Sequence, residues 1–470
     1  MAMLQAKTEY GVVEGLRANN PFYTVFRGVP FMAPPVGENR WRAPQPAECW
    51  DGVKQCYLWK PTAVQPKYTF DGGLIAAEFY GIERPMSEDC MYLNIWTPAE
   101  SPDEKLPVAV YSHGGGYSTG MAYQQQFDGE GFNKRGVILV TIPYRLNVFG
   151  FLAHPELTDE ADYHASGNYG LLDMIWGLHW VKRNIANFGG DPYNISLFGQ
   201  SAGAMNVNAM ITTPLTEDII KHAILQSGGG LNHGGMSPWG KDLATAEKLG
   251  KDFFDFMGVS SLKEAREMST EQVFNAFQEF GGTERYDSDK SRYAGLYTRF
   301  CPIVNDGYVF PDNKGNMVLD GKHKHIDYIL GSTEDEFRTM TADNLAFAKN
   351  QLNLGLNPAY LYYFSYVPPG AEQEGAHHSV EHHYVFQTLY RTMRPYNGFD
   401  CDLSNELADR WSAFFKTGNP NPEGKDYVQW TPYTKDNEKV LGIVKGGRKM
   451  IDLPIRKNEL PWVDKDLEKV

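Results

Sequence analysis

The 470-residue chain is predicted to adopt an α/β fold in which a central, mostly parallel sheet is flanked by helices. Short apolar runs typical of buried strands alternate with longer segments of helical periodicity, and parallel strands require such connections. The pattern of residues 170–188 predicts a helix that is apolar on nearly every face, as expected beside a sheet. We expect one large domain, residues 1–470, because α/β domains often exceed the usual domain length.

The remaining elements follow in order along the chain. Residues 8–30 alternate apolar and polar positions around glycines, which predicts a small antiparallel meander. Prolines between residues 34 and 46 predict an irregular connection. Further strands are predicted at 93–96, 106–111, 137–142, 195–198, 223–226, 326–331, 361–366 and 440–444. Further helices are predicted at 202–211 and 403–416, the second closed by Gly418.

Residues 240–300 have a different pattern of amphipathic helices. Capping boxes are predicted where Ser261 precedes Glu264 and where Ser269 precedes Gln272. We interpret this segment as a helical cap inserted over the carboxyl edge of the sheet, within the same domain.

Composition and charge disfavour several kinds of partner. Acidic residues outnumber basic residues by 58 to 44, which disfavours nucleic acid and anionic membrane surfaces. The most apolar stretch, residues 137–153, is interrupted by Pro143, Arg145 and Asn147 and is too short to span a bilayer. The first residues lack a charged and then apolar leader, so we expect a cytoplasmic protein.

The cysteines show neither a disulfide pattern nor a metal-ligand spacing, and we expect buried thiols. They are Cys49, Cys56, Cys90, Cys301 and Cys401.

A Gly-x-Ser-x-Gly string at residues 199–203 lies between a predicted strand and a predicted helix. A chain that turns within these five residues holds Ser201 at the apex in a strained conformation, with its hydroxyl projecting from the sheet edge. The string alone is weak evidence, because it also arises by chance in glycine-rich chains. The flanking strand and helix favour a serine nucleophile.

Three glycines, residues 114–116, follow the predicted strand 106–111. Their spacing does not match a dinucleotide-binding fingerprint. They suit a loop whose backbone N–H groups face a ligand oxygen. A simple flexible turn is the alternative.

Taken jointly, several motifs resemble the type-B carboxylesterases, the carboxylesterase and cholinesterase branch of the α/β-hydrolases. These motifs are Ser-Glu-Asp-Cys at 87–90, Leu-Asn-Ile-Trp at 93–96, the triple glycine, Tyr-Arg-Leu-Asn at 144–147, Phe-Gly-Gly-Asp-Pro at 188–192 and Phe-Gly-Gln-Ser-Ala-Gly at 198–203. The resemblance runs from about residue 8 to the last helix. It implies an α/β-hydrolase fold, a Ser-His-Glu triad and hydrolysis of small-molecule carboxylic esters through an acyl-serine, with no cofactor and no metal.

The resemblance also assigns the site residues. Ser201 is the nucleophile, Glu336 in the loop 331–336 is the acid, and His378 in the loop 375–381 is the base. This is the chain order that the fold requires. The oxyanion hole is assigned to the backbone N–H groups of Gly115, Gly116 and Ala202.

Four further positions are assigned to the surroundings of the triad. Ser227 matches a hydroxyl near the triad, and Trp239 is expected to line the acyl pocket. Phe337 replaces a frequent glycine and is expected to narrow the pocket. Tyr80 stands where cholinesterases carry a tryptophan, and its weaker cation–π face disfavours choline esters.

Two features concern the loop around residue 90. Arg40 and Glu88 match a buried ion pair of relatives. The family's loop disulfide would need a thiol near Ala63, so Cys90 is expected to be free unless Cys56 or Cys49 reaches it.

Two other functions are compatible with parts of the sequence. Residues 378–382 also spell His-x-x-Glu-His, a zinc-peptidase string, although no second acidic motif follows it. A catalytically silent adhesion protein is the other alternative, since some relatives have lost the serine. All three triad residues are present here, which favours an enzyme.

Overall fold

A computed structural model describes residues 1–67, 77–79, 84–231, 241–281, 303–336, 339–455, 463 and 467. Cys301 and residues 282–300 of the predicted cap lie outside these ranges.

Most strands of the molecule belong to one large sheet. They are β1 Gln5–Lys7, β2 Val12–Arg17, β3 Thr24–Pro30, β4 Val53–Cys56, β5 Tyr92–Thr97, β6 Leu106–Ser112, β7 Ile138–Ile142, β8 Gly190–Gln200, β9 Ile220–Gln226, β10 Lys241–Asp242, β11 Val304–Asn305, β12 Asp327–Thr333, β13 Tyr360–Phe364, β14 Lys439–Val444 and β15 Gly447–Asp452.

The described residues form a sheet of thirteen strands in the order β1-β2-β3-β5-β7-β6-β8-β9-β12-β13-β14-β15, with β4 beside β2. Neighbouring strands from β7 to β14 are parallel. At the edges of the sheet the pairing is antiparallel, except that β4 is parallel to β2, and the meander predicted at residues 8–30 corresponds to the antiparallel strands β2 and β3. The predicted α/β class and its mostly parallel centre are therefore confirmed. The small β10-β11 pair lies apart from this sheet.

Helices cover both faces of the sheet. They are α1 Glu130–Asn133, α2 Asn147–Phe151, α3 Pro155–Glu160, α4 Tyr169–Asn184, α5 Ala202–Thr212, α6 Leu243–Met257, α7 Leu262–Glu267, α8 Thr270–Gly281, α9 Lys314–Leu319, α10 Thr339–Asn353, α11 His382–Val385 and α12 Gly398–Thr417. Short 3-10 turns occur at Gly37–Asn39, Pro102–Glu104, Ile185–Phe188, Pro214–Thr216 and Leu389–Arg391.

The core is divided into two layers by the alternation of side chains along each strand. On β6, Val108 and Val110 belong to the cluster that contains α4 and α5, whereas Ala109 and Tyr111 belong to the cluster that contains α12. Burial on both faces explains why the central strands are continuous apolar runs without a polar alternate position.

Several boundaries differ from the sequence prediction. The helix predicted at 403–416 begins earlier, at Gly398, because Asn397 and Asp400 form a capping box. It ends as predicted at Gly418, which adopts a left-handed conformation with φ 76°. The helix predicted at 170–188 becomes a 3-10 turn after Asn184.

The described part of the predicted cap consists of helices α6, α7 and α8. Ser269 and Gln272 form the expected reciprocal capping box. The other box is only half formed, because the Glu264 carboxylate accepts from the Ser260 N–H rather than from Ser261. The role of residues 240–300 as a cap over the site stays a prediction.

One buried arginine joins these helices to the amino-terminal part of the chain. Arg40 donates to both carboxylate oxygens of Glu88, at 2.8 and 2.6 Å. It also donates to the carbonyl oxygens of Ala265 and Met268. The ion pair suggested by the resemblance is therefore present, and it fixes the start of α8 beside the loop of residue 88.

The thiols differ in part from expectation. Cys56 and Cys90 are buried and free, so Cys90 pairs with neither Cys56 nor Cys49. Cys49 and Cys401 are exposed, which corrects the expectation of buried thiols. Cys49 lies in an irregular connection, and Cys401 lies on the solvent-facing side of the first turn of α12, so neither side chain faces the core. In the described part of the chain, no helix has both the length and the apolarity to cross a bilayer.

Replacing Arg40 with methionine should strongly destabilise the fold. The substitution leaves Glu88 as an unpaired charge that is almost completely buried, which costs about 3–5 kcal/mol. Urea denaturation should show this loss in Arg40→Met. The matched control is Arg183→Met, which removes a more exposed ion pair with Glu9 and should cost about 1 kcal/mol or less. Equal losses in both variants would contradict the structural role of Arg40.

Candidate active site

Ser201 occupies the turn between β8 and α5. Its φ of 58° and ψ of −127° lie in a region that side chains rarely adopt. The backbone is held there because the Ser201 N–H donates to the carbonyl of Gln226 at 2.9 Å. The strained turn that the Gly-x-Ser-x-Gly string predicts is therefore present.

The two glycines of the string are required by close packing. A Cβ on Gly203 would lie 2.0 Å from the carbonyl oxygen of Ser112, at the end of β6. A Cβ on Gly199 would lie 2.5 Å from the backbone of Gly203. Contacts this short exclude any side chain, so α5 can cross the ends of β6 and β8 only with glycine at these positions.

The glycine loop passes directly beside Ser201. An added Cβ on Gly114 would lie 3.0 Å from the Cβ of Ser201. Gly115 and Gly116 have φ values of 110° and 61°, which favour glycine. Within the described ranges, the N–H groups of Gly115, Gly116 and Ala202 donate to no acceptor. These donors are consequently available to a ligand.

The Tyr-Arg-Leu-Asn motif, residues 144–147, forms hydrogen bonds to the two ends of the glycine loop. The Tyr144 hydroxyl donates to the carbonyl of His113 at 2.9 Å, and the Asn147 N–H donates to the carbonyl of Tyr117 at 2.7 Å. Arg145 forms a buried bidentate ion pair with Asp173, at 2.8 and 2.7 Å. These hydrogen bonds and the buried ion pair hold the glycine loop in place.

The predicted acid and base are in direct contact. His378 Nδ1 lies 2.5 Å from Glu336 Oε2. The other oxygen of Glu336 accepts from the Thr333 N–H at 2.8 Å, and its side chain is only 1% exposed. A carboxylate at Nδ1 fixes the proton on that nitrogen and leaves Nε2 as an acceptor.

Asp335 was not identified from the sequence. This residue joins the loop of residues 331–336, which we call the acid loop, to the loop of residues 375–381, which we call the histidine loop. Its carboxylate accepts from the Ala376 N–H at 2.8 Å, and its own N–H donates to the Ala376 carbonyl at 3.1 Å. Gly375 leaves room for this carboxylate, since an added Cβ would lie 2.1 Å from it. No sequence pattern indicates such a contact between loops that are distant in the chain.

His378 Nε2 faces the side chain of Gln200, whose Nε2 lies 3.0 Å away. With the Nδ1 proton directed at Glu336, the Gln200 amide is the donor in this contact. Across the described ranges, the hydroxyl of Ser201 makes no hydrogen bond, although it belongs to the residue next to Gln200. The structure therefore pairs His378 with Glu336 and places Gln200, not Ser201, at its second nitrogen.

A second buried carboxyl group, that of Glu381, lies near Glu336. Glu381 accepts from the Tyr362 hydroxyl at 3.1 Å and from the Gln226 amide at 3.4 Å. Its other oxygen has no partner among the residues described here. Burial, followed by the charge of Glu336, raises the pKa of Glu381 to about 7.

Ser227 lies at the end of β9, next to the start of the acid loop. Its N–H donates to the carbonyl of Gly331 at 2.7 Å, and its φ is 52°. The hydroxyl is buried and has no partner in the described part of the molecule. Tyr80, Trp239 and Phe337, the other predicted pocket residues, lie outside the described residues.

The histidines near the zinc-peptidase string have separate partners. His378 contacts Glu336, whereas His382 Nε2 lies 3.0 Å from the Tyr111 hydroxyl. The helix α11 begins only at His382, so the two histidines do not share a helix face. His377 directs its Nδ1 at the carbonyl of His378. No group of three potential ligands converges within the described ranges.

Known proteins resemble this chain along most of its length. The sequence profile of the carboxylesterase family matches residues 2–354 and 339–460. The para-nitrobenzyl esterase of Bacillus subtilis is 30% identical over 477 residues, which are 92% of this chain and 93% of that protein. The fumonisin B1 esterase of Sphingopyxis macrogoltabida is 29% identical over 92% of this chain and 85% of its own length.

Solved structures of esterases share the fold. A PNB esterase has a TM-score of 0.82 at 25% identity, with 99% of both chains covered. A carboxylesterase of Geobacillus stearothermophilus has a TM-score of 0.78 at 27% identity, with 97% of this chain and 99% of that chain covered. The expected α/β-hydrolase fold is thereby confirmed.

Replacing Glu381 with glutamine should change how stability depends on pH. Because the folded-state pKa of Glu381 is raised from 4.5 to about 7, the folded protein binds this proton more tightly than the unfolded chain. The wild type therefore loses stability as the pH rises from about 4.5 to 7, by at most about 1.4 kcal/mol per pH unit from this group.

Glutamine does not titrate, so Glu381→Gln should gain stability relative to the wild type between pH 5 and pH 8. Urea denaturation midpoints across this range measure the difference. Two curves that stay parallel would show that Glu381 keeps an ordinary pKa in the folded protein.

Proposed function

This chain belongs to the carboxylesterase family and is a carboxylic ester hydrolase, and we propose that it cleaves small-molecule esters through an acyl-enzyme formed on Ser201. The observation that carries this proposal is the 2.5 Å contact between His378 and Glu336 at the same sheet edge as the strained Ser201. An imidazole held in this tautomer is a general base for a neighbouring hydroxyl.

In the first step, the Ser201 hydroxyl attacks the ester carbonyl while His378 Nε2 accepts its proton. Because Nε2 contacts Gln200 in this structure, the ring or the serine side chain must move so that Nε2 reaches Ser201. Such contacts are often loose in free enzymes and tighten when substrate binds. Glu336 stabilises the imidazolium that forms.

The carbonyl oxygen gains negative charge as the carbon becomes tetrahedral. We propose that the N–H groups of Gly115, Gly116 and Ala202 stabilise this charge. The support is that Ala202 directly follows Ser201, and that Gly115 and Gly116 directly follow Gly114, which lies against Ser201. These N–H groups also have no acceptor in the described structure. The amino end of α5 adds its partial positive charge. Removal of one such donor typically costs about 3–4 kcal/mol.

Collapse of the tetrahedral intermediate expels the alcohol, which takes the proton from His378 and leaves an acyl-serine. A water molecule then attacks the acyl carbon while His378 accepts one of its protons. The second collapse releases the carboxylic acid and returns the proton to Ser201. Each proton removed is thus returned, and no cofactor is required.

The names of two relatives suggest which esters to test. One relative is a para-nitrobenzyl esterase and another is a fumonisin B1 esterase. We propose aryl and benzyl esters as substrates. The pocket roles of Tyr80, Trp239 and Phe337, the cap and the cytoplasmic location stay predictions.

Replacing Ser201 with alanine should abolish hydrolysis of p-nitrophenyl acetate. Loss of the nucleophile should lower kcat by at least about 10³-fold. The matched control is Ser196→Ala, a buried serine on the same strand whose hydroxyl contacts only the Phe415 carbonyl at 3.5 Å, and it should retain activity. Circular dichroism checks that both variants fold.

An aryl phosphonate should inactivate the wild type and add its mass to the peptide that contains Ser201. Inactivation by a chelator, with Ser201→Ala still active, would instead support the zinc-peptidase hypothesis. A folded wild type without turnover on any ester would support the silent relative.

Replacing Glu336 with glutamine should lower kcat by about 10²–10⁴-fold, because an amide no longer fixes the His378 tautomer or stabilises its cation. The matched control is Glu334→Gln in the same loop, an exposed residue whose loss should leave kcat within about twofold. Stopped-flow rates with p-nitrophenyl acetate make the comparison. Similar losses in both variants would indicate a general disturbance of the loop.

A further inference from the structure

A cavity of about 520 Å³ lies against β2, β3 and the end of β5. None of Ser201, Glu336 and His378 lines it. Its volume is that of a small-molecule site. Its walls include the aromatic side chains of Trp59, Trp96 and Tyr123. We call it the Arg27 cavity.

Two arginines lie on the aromatic wall of the Arg27 cavity. Trp59 and Tyr123 stack at 5.0 Å with an angle of 8° between their rings. The guanidinium of Arg27 lies 4.6 Å from the centre of the Trp59 ring, and that of Arg84 lies 5.6 Å from the centre of the Tyr123 ring. A stacked guanidinium uses its face and leaves its N–H edge available to an acceptor.

The available edge of Arg27 is partly buried and lacks a partner. Its Nε is shielded from solvent and makes no hydrogen bond to the described residues. Burial lowers the pKa of Arg27, and the nearby charge of Asp128 offsets this only in part. The N–H groups on Nη1 and Nη2 are not in this buried set and make no hydrogen bond to the described residues, so they are the donors that an acceptor in the cavity can reach.

Acidic groups in the lining are already paired. Asp128 forms an ion pair with Arg391, and Glu130 forms one with Lys134 at 2.8 Å. Neither Arg27 nor Arg84 forms an ion pair within the described ranges. The Arg27 cavity therefore carries unpaired positive charge, although the chain as a whole has a net charge of −14. This local excess selects an anion.

We propose that the Arg27 cavity binds an aromatic carboxylate. The carboxylate accepts from the guanidinium of Arg27, and the ring lies on the wall formed by Trp59, Trp96 and Tyr123. Arg84 adds positive charge at the same wall. A carboxylate matches the N–H fork of arginine, and the extent of the aromatic wall favours a planar ring over a small inorganic anion. This site is independent of the chemistry at Ser201.

Benzoate binding to the full-length protein tests the proposal. Isothermal titration calorimetry and saturation-transfer NMR should show saturable binding of one benzoate per chain. Arg27→Gln and Arg84→Gln should each weaken binding, by at least about tenfold for Arg27. The matched control Arg183→Gln, which removes an arginine paired with Glu9 on the surface, should bind benzoate like the wild type. The esterase rate should be unchanged in all three variants.

Benzamide keeps the aromatic ring but lacks the carboxylate, whereas acetate keeps the carboxylate but lacks the ring. Each should bind at least about tenfold more weakly than benzoate. Melting temperatures check the folding of each variant. If Arg27→Gln does not fold, Arg84→Gln serves as the test. Absence of saturable binding, or benzoate binding that neither arginine affects, would overturn the proposal. Inorganic phosphate that binds as tightly as benzoate would overturn the aromatic class of ligand.

Discussion

The backbone crossing at Gly199 and Gly203 is the constraint on which the rest of the site depends. Helix α5 can start directly after β8 only if its second residue passes against the end of β6, where a Cβ would lie 2.0 Å from the Ser112 oxygen. This crossing forces Ser201 into its left-handed conformation. It also places the chain that leaves β6, the glycine loop, beside the serine. One close contact thus positions both the proposed nucleophile and the proposed oxyanion donors.

The register of the parallel strands brings the other groups to the same edge. Gln200 pairs with Gln226 across β8 and β9, and Gln226 pairs with Gly331 across β9 and β12. The segments after these residues therefore leave the sheet side by side. The acid loop follows β12, and Asp335 then fastens the histidine loop to it. Parallel pairing thus converts residues far apart in sequence into neighbours in space.

Buried charges have different surroundings near His378 and in the Arg27 cavity. Glu336 accepts hydrogen bonds from Thr333 and His378, whereas one oxygen of Glu381 has no partner among the described residues, and burial, followed by the charge of Glu336, raises the pKa of Glu381. In the Arg27 cavity, the cations lie on aromatic faces, which attract them without supplying an acceptor for their N–H groups.

The sequence by itself determined the α/β class and the central strands, and its motifs predict Ser201, Glu336 and His378 as the triad. Buried parallel strands are apolar on both faces, and the glycines of a tight turn have no substitute, so both leave clear patterns. Strand β15 left no such pattern, because its residues are partly exposed and polar. Only the tertiary structure decided that Asp335 joins two loops, that Gln200 faces His378 and that Arg27 lies on Trp59. Those contacts join residues far apart in the chain, and their geometry follows from packing rather than from any local periodicity.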